Sequence, residues 1–135
     1  MTGGEPSAPG GEELLRAANL ARQNAHAPYS KYKVGAAVRT ASGRVFSGAN
    51  VENASYGLTV CAERSAVFAA VSAGETSLTE VVVVTENGAS PCGACRQVLD
   101  EFGTPDVPVR MAAPDGSGET LTLGELLPRG FVFES

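Results

Sequence analysis

The chain has 135 residues, 43% of them hydrophobic, and a formal net charge of −5. That length suits one domain able to bury a core without disulfides or metals as staples. The acidic balance, with ten Lys and Arg residues spread along the chain, argues against a nucleic acid polymer as partner and for a small, nearly neutral ligand. No stretch is long and apolar enough to span a membrane, and the N-terminus lacks the basic and apolar regions of a signal peptide, so a cytoplasmic protein without a membrane partner is expected. Residues 1–10 are small, polar and rich in Pro and Gly, and are expected to form a disordered tail before a single domain over 11–135.

Glu12 to about His26 reads as an amphipathic helix, with Leu14, Ala17, Ala18, Ala21 and Ala25 at three- and four-residue steps. His26, the only histidine, falls in the exit loop and reads as an ordinary surface residue. Val34–Arg39 and Arg44–Ser47 pattern as two strands joined by a turn at Thr40-Ala41-Ser42-Gly43. Tyr32 stands at the entrance of the first, where edge packing would explain it. The polar run Asn50-Val51-Glu52-Asn53-Ala54 follows the second. Asn50, Glu52 and Asn53 fit either as turn formers or as contacts for a ligand hydroxyl, and spacing does not decide between them.

Val60 to Ala73 is helical in pattern, small-residue-rich, and closed by Gly74; so apolar a helix is expected to be buried. The run Val81-Val82-Val83-Val84 marks a strand buried on both faces. Pro91 is expected to open a second helix running to Phe102. Val107, Val109 and Met111 alternate as a strand, Thr120–Leu123 reads as another, and Gly124–Pro128 as a short helical turn. The order β-β-α-β-α-β predicts an α/β domain with one partly parallel sheet flanked by helices.

All three cysteines lie in two short stretches, Cys61-Ala62-Glu63-Arg64 and Pro91-Cys92-Gly93-Ala94-Cys95-Arg96. Three cysteines cannot all pair as disulfides, and metal binding or catalysis is the better reading. Cys-x-x-Cys at one helix start brings two sulfurs together, and a second helix start delivers the third. Zinc held by Cys61, Cys92 and Cys95 keeps its fourth position open, as a catalytic site requires. Free N–H groups and the dipole at each helix start favour thiolate charge. Glu63 is then left to move protons as a general acid and base, and this order of residues matches that of zinc deaminases. Arg64 and Arg96 are candidates to donate hydrogen bonds to the sulfurs, with Arg64 preferred and a surface salt bridge as the plain alternative for each.

The chain resembles the cytidine deaminases of the small, homotetrameric, three-cysteine type. The residues that carry the resemblance are Pro28-Tyr29-Ser30-Lys31-Tyr32-Lys33-Val34-Gly35-Ala36-Ala37, Asn50–Ala54, Cys61–Arg64, Ser90–Gln97 and Glu125–Pro128. It implies a three-layer α-β-α fold on a mixed sheet of about five strands. It also implies one zinc ion per subunit and hydrolysis of cytidine, and of 2′-deoxycytidine, in pyrimidine salvage. Asn50 and Glu52 would hold the ribose 3′-hydroxyl, the Ala62 N–H would meet the pyrimidine 2-oxo group, and the Ser90 carbonyl the 4-amino group. Ala54, Tyr56 and Phe131 match positions that family members lend to a neighbouring subunit's site, so a homotetramer is implied. Two departures stand out: Tyr32 replaces the usual Phe that packs on the base, and Ala49 replaces a common non-ligand cysteine. The C-terminal run from Leu127 is also similar to the blasticidin S deaminases, while the intact Asn50–Ala54 segment favours cytidine.

Overall fold

The computed structural model describes residues 8–133, with side chains described over 11–133. Its elements are α1 (Ala8–Gln23), β1 (Gly35–Thr40), β2 (Val45–Ala49), a 3-10 turn (Tyr56–Leu58), α2 (Ala62–Ser72), β3 (Leu78–Val84), α3 (Gly93–Phe102), β4 (Pro108–Ala112), β5 (Gly118–Thr122) and α4 (Leu123–Leu126). Most of the expected tail, residues 1–7, lies outside the described residues, and the rest of it opens α1. The sheet runs β2-β1-β3-β4-β5, with β3 and β4 parallel and every other pair antiparallel. This is the expected mixed five-stranded α/β architecture.

Strand alternation sorts the core into two layers. Ala36, Val38, Val81, Val83, Val109 and Met111 point to one face and pack with Ala62, Ala66, Val67 and Ala70 of α2 and Leu99 of α3. Ala37, Val82, Val84 and Ala112 point to the other and pack with Leu14 and Ala18 of α1. Two glycines set how closely helices approach the sheet. A Cβ on Gly35 would lie 2.0 Å from the Ala18 carbonyl oxygen, and one on Gly48 2.6 Å from the Ala66 nitrogen.

Several boundaries differ from the sequence pattern for identifiable reasons. α1 stops at Gln23 because the His26 backbone pairs elsewhere: its N–H donates to the Asn50 carbonyl (3.0 Å), and its carbonyl accepts from the Glu52 N–H (2.8 Å). The His26 side chain is exposed, as expected. Cys92, not Pro91, caps α3: its backbone is extended, and its sulfur accepts from the Cys95 N–H. α2 buries the face made by Ala62, Glu63, Ala66, Val67 and Ala70 against the sheet, and within the single chain Phe68 and Val71 remain 48% and 36% exposed. α4 begins one residue earlier than the Gly124–Pro128 turn expected, because Thr122 ends the strand and, with Glu125, forms a capping box that starts the helix at Leu123.

Candidate active site

β2 leads through the polar run into the start of α2, and β3 leads into the start of α3, so both helix N-termini converge at one edge of the core. Cys61 is the N-cap residue of α2, Cys92 that of α3, and Cys95 lies in the first turn of α3. Their ligand atoms all lie within 4.8 Å of one another, and the Cys61 and Cys92 sulfurs are 3.9 Å apart. Tetrahedral zinc with Zn–S bonds near 2.3 Å requires sulfurs about 3.8 Å apart, so the spacing fits a shared ion.

The surroundings fit as well. The Arg64 guanidinium donates to the Cys61 sulfur and to the Thr59 carbonyl, both at 3.5 Å. Its Nε is buried without a hydrogen-bond partner among the described residues. The Cys61 thiol is lowered to about 5 by a hydrogen bond from Cys95, with Arg64 and Cys92 adding to it. Cys95 is pushed up, first by giving that bond and then by burial and the nearby Glu63. Arg64 itself is held more firmly protonated by its bond to Cys61. Arg96, by contrast, touches no sulfur and forms no ion pair among the described residues. It donates to the Pro91 carbonyl (2.9 Å), the Leu126 carbonyl (2.9 Å) and the Ser90 hydroxyl (3.0 Å), tying the loop before α3 to α4. The expectation that Arg96 donates to the sulfurs is therefore corrected: its guanidinium is taken up by two backbone carbonyls and the Ser90 hydroxyl.

Glu63, in the first turn of α2, is only 5% exposed. Burial raises its carboxyl pKa, and the charge of Cys61 adds to the rise. Glu63 and the Cys61 and Cys92 side of the sulfur cluster open on a cavity of about 290 Å³. Ser30, Tyr32, Asn50, Glu52, Ala62 and Ser90 also line it. Ala62 is the first residue of α2, a position whose N–H has no intrahelical acceptor.

Asn50 and Glu52 have local work that their spacing did not disclose. Asn50 accepts from the Val34 N–H and donates to the Tyr32 carbonyl, each at 2.9 Å. Glu52 accepts from the Tyr29 N–H (3.0 Å), the Ser30 N–H (3.1 Å) and the Ser30 hydroxyl. These bonds, the Ser30 hydroxyl first, hold the Glu52 carboxyl below the usual carboxylate range. Together the two residues fasten the 28–34 loop over the cavity. Ala54 and Tyr56 line an adjoining hollow with Tyr29, Ser30, Glu52, Asn53 and Thr59. Phe131 lies apart, beside Asp100 and Glu101, its backbone gripped at both ends by the Gln97 amide. No sequence pattern singles out Thr85 or Asn87, whose side chains reach Ala89 and Tyr32 beside the cavity; Glu86–Ser90 reads simply as a loop.

Residues 10–111 match the family model described as the cytidine and deoxycytidylate deaminase zinc-binding region. This chain belongs to that family. The cytidine deaminase of Halalkalibacterium halodurans is 46% identical over 123 residues, 90% of this chain and 93% of that protein. That of Sporosarcina psychrophila is 45% identical over 125 residues, covering 91% and 92%. The crystal structure of cytidine deaminase from Burkholderia pseudomallei superposes with a TM-score of 0.84 at 48% identity, covering 89% of this chain and 98% of that one. The Mycobacterium tuberculosis cytidine deaminase structure gives 0.80 at 41% identity, covering 90% and 97%. The fold is thus the cytidine deaminase fold, the chain is an enzyme of that family, and its cofactor is zinc at the three-cysteine cluster. No helix among the described residues is long and apolar enough to cross a membrane.

Proposed function

We propose that the chain hydrolyses cytidine and 2′-deoxycytidine at the 4-amino position, consuming water and releasing uridine or deoxyuridine and ammonia. The observation that carries this reading is the buried Glu63 carboxyl opening, with the sulfur cluster, on one nucleoside-sized cavity. Cys61, Cys92 and Cys95 hold the zinc, and Arg64 donates to the Cys61 sulfur and offsets the thiolate charge. Zinc supplies Lewis acidity that makes water nucleophilic near neutral pH. Glu63, its pKa raised by burial, takes a proton from the attacking water and passes it to the ring nitrogen. It then takes the remaining proton of the hydroxyl added at C4 and passes it to the amine, which leaves as ammonia when the C4–N bond breaks.

The remaining lining residues would orient the nucleoside. The Ala62 N–H meets the 2-oxo group, the Ser90 carbonyl accepts from the 4-amino group, and the Tyr32 ring packs on the base. Asn50 and Glu52 suit a ribose hydroxyl even after their local bonds are counted. Asn50 keeps one amide N–H beyond the one given to Tyr32, and among the described residues Glu52 Oε2 accepts only from Ser30. One spare donor beside one spare acceptor is what a hydroxyl needs.

The proposal extends to a homotetramer in which Ala54, Tyr56 and Phe131 serve a neighbouring copy's site. Tyr56 and Phe131 are 88% and 71% exposed, and Phe68, Val71, Val132 and Phe133 add apolar surface for association. Three free thiols suit the reducing cytoplasm. The test is to follow the ultraviolet change of cytidine, deoxycytidine, blasticidin S and cytosine with zinc-loaded enzyme and with Glu63→Ala. Turnover of the two nucleosides, lost in the variant, is expected. No cytidine turnover by the parent enzyme would overturn the reading, and turnover by the variant would overturn the role of Glu63. A monomer on size exclusion would remove the shared-site assignments.

A further inference from the structure

Tyr32 carries a phenol where a bare ring would suffice for stacking, and its hydroxyl has a definite partner. It donates to the Asn87 side-chain oxygen at 2.7 Å, joining residues 55 positions apart in the chain. The same oxygen accepts from the Thr85 hydroxyl at 3.3 Å, and Thr85 Oγ1 in turn accepts from the Ala89 N–H at 2.7 Å. Donors therefore run in one direction from Ala89 through Thr85 to Asn87, where the Tyr32 hydroxyl meets them. Thr85 is 3% exposed, so this chain of bonds is anchored in the core.

The link joins opposite walls of the cavity. Ser30, Tyr32 and Val34 contribute one wall from the 28–34 loop, while Thr85, Ala89 and Ser90 contribute the other from the segment between β3 and α3. The Tyr32 backbone is already held at both ends: its N–H donates to the Ser30 hydroxyl (3.0 Å), and its carbonyl accepts from Asn50. Lys31, just before it, has a φ of 64°, a left-handed conformation that these surrounding bonds sustain. With the backbone fixed, the ring retains only its side-chain torsions, and the bond to Asn87 removes that freedom.

We infer that Asn87 is a positioning residue for the nucleoside site: it latches the Tyr32 ring across the cavity mouth and so pre-orients the face on which the base packs. This inference rests on the nucleoside reading above and adds to it a residue outside the cavity lining. Pre-orientation lowers the ordering cost of binding and acts on ground state and transition state alike, so its loss falls on KM more than on kcat.

The test is a double-mutant cycle on zinc-loaded enzyme with cytidine, using Tyr32→Phe, Asn87→Ala and the pair. Loss of one neutral hydrogen bond predicts that each single variant raises KM by about two- to ten-fold. The double variant is expected to match the singles rather than multiply them, because both remove the same bond. Asn87→Asp, which keeps an accepting oxygen, should recover most of the loss. Melting temperature and zinc content should stay at the parent values in every variant. Multiplicative effects, an unchanged KM in Asn87→Ala, or a kcat loss larger than the KM rise would each overturn the latch. Failure of the parent enzyme to turn over cytidine would instead overturn the nucleoside reading, so the two failures are distinct.

Discussion

Replacing Gly48 with alanine tests whether the contact between β2 and α2 positions the site. The added Cβ would lie 2.6 Å from the Ala66 nitrogen and 2.6 Å from Ser65 Cβ. Carbon atoms in contact settle about 3.5–4.0 Å apart, so strand and helix must separate by roughly 1 Å. The opposing atoms belong to a helix and not to the end of a flexible side chain, so local yielding is limited. Overpacking of this kind costs about 1–3 kcal/mol. With an unfolding entropy of about 2.1 cal/mol/K per residue, a chain of this length loses roughly 3–10 °C in melting temperature. α2 carries Glu63 and is capped by Cys61, whereas Cys92 and Cys95 belong to α3. Metal–ligand distances tolerate only about 0.2 Å, so the same shift should weaken zinc binding on the order of ten-fold. Thermal melts at one fixed protein concentration, and zinc competition against a chromophoric chelator, read both effects. Gly57→Ala is the control, since nothing lies within 4 Å of a Cβ there; its change should stay within about 0.5 kcal/mol. Equal melting temperatures and zinc affinities for the two variants would refute the reasoning.

Arg64→Gln removes the charge facing the Cys61 sulfur and should cost about 10–100-fold in zinc affinity with the circular dichroism spectrum retained; parent-like affinity and turnover would deny Arg64 its role. Glu52 has a depressed folded-state pKa, so its hold on the 28–34 loop is in place above the ordinary carboxylate pKa and is lost as pH falls through the depressed value. KM for cytidine should therefore rise on the acidic limb, and Glu52→Gln should show a raised KM already at neutral pH; a variant with an unaltered KM profile would assign the acidic rise to another group. Stripping the metal with a chelator should abolish turnover and lower the melting temperature, with both restored by zinc. Full activity in the stripped protein would place the chemistry elsewhere.

Regular structure and the sulfur cluster were readable because each leaves a periodic or spaced signal. Val81–Val84 sits in a strand covered on both faces, and only such burial accounts for four consecutive branched apolar residues. Cys92 and Cys95 are three apart because one helical turn must bring both sulfurs to one side. The loops gave no comparable signal. Asn50 reaches back to residues 32 and 34, Glu52 to 29 and 30, and Tyr32 forward to Asn87, and none of these pairings leaves a period in the sequence. Arg96 misled for a related reason. Its place beside Cys95 in sequence suggests the sulfurs, but successive helix residues point about a quarter turn apart, and its side chain leaves toward Pro91 and Leu126.

The charge at the sulfur cluster explains why α2 is built as it is. Three thiolates around a dication leave one net negative charge, and Glu63 would add a second within the same buried turn. Arg64 is the basic group bonded to a sulfur, and the starts of α2 and α3 supply partial positive charge without bringing another side chain into the cavity. That supply depends on both helix ends facing the cluster, which requires α2 to lie against β2 at the distance that Gly48 permits. An alanine at Gly48 and a glutamine at Arg64 therefore weaken the same balance by different routes, one by moving a dipole and the other by deleting a charge. If the two act on one electrostatic balance, their combined loss of zinc affinity will differ from the product of the single losses; independent effects would simply multiply.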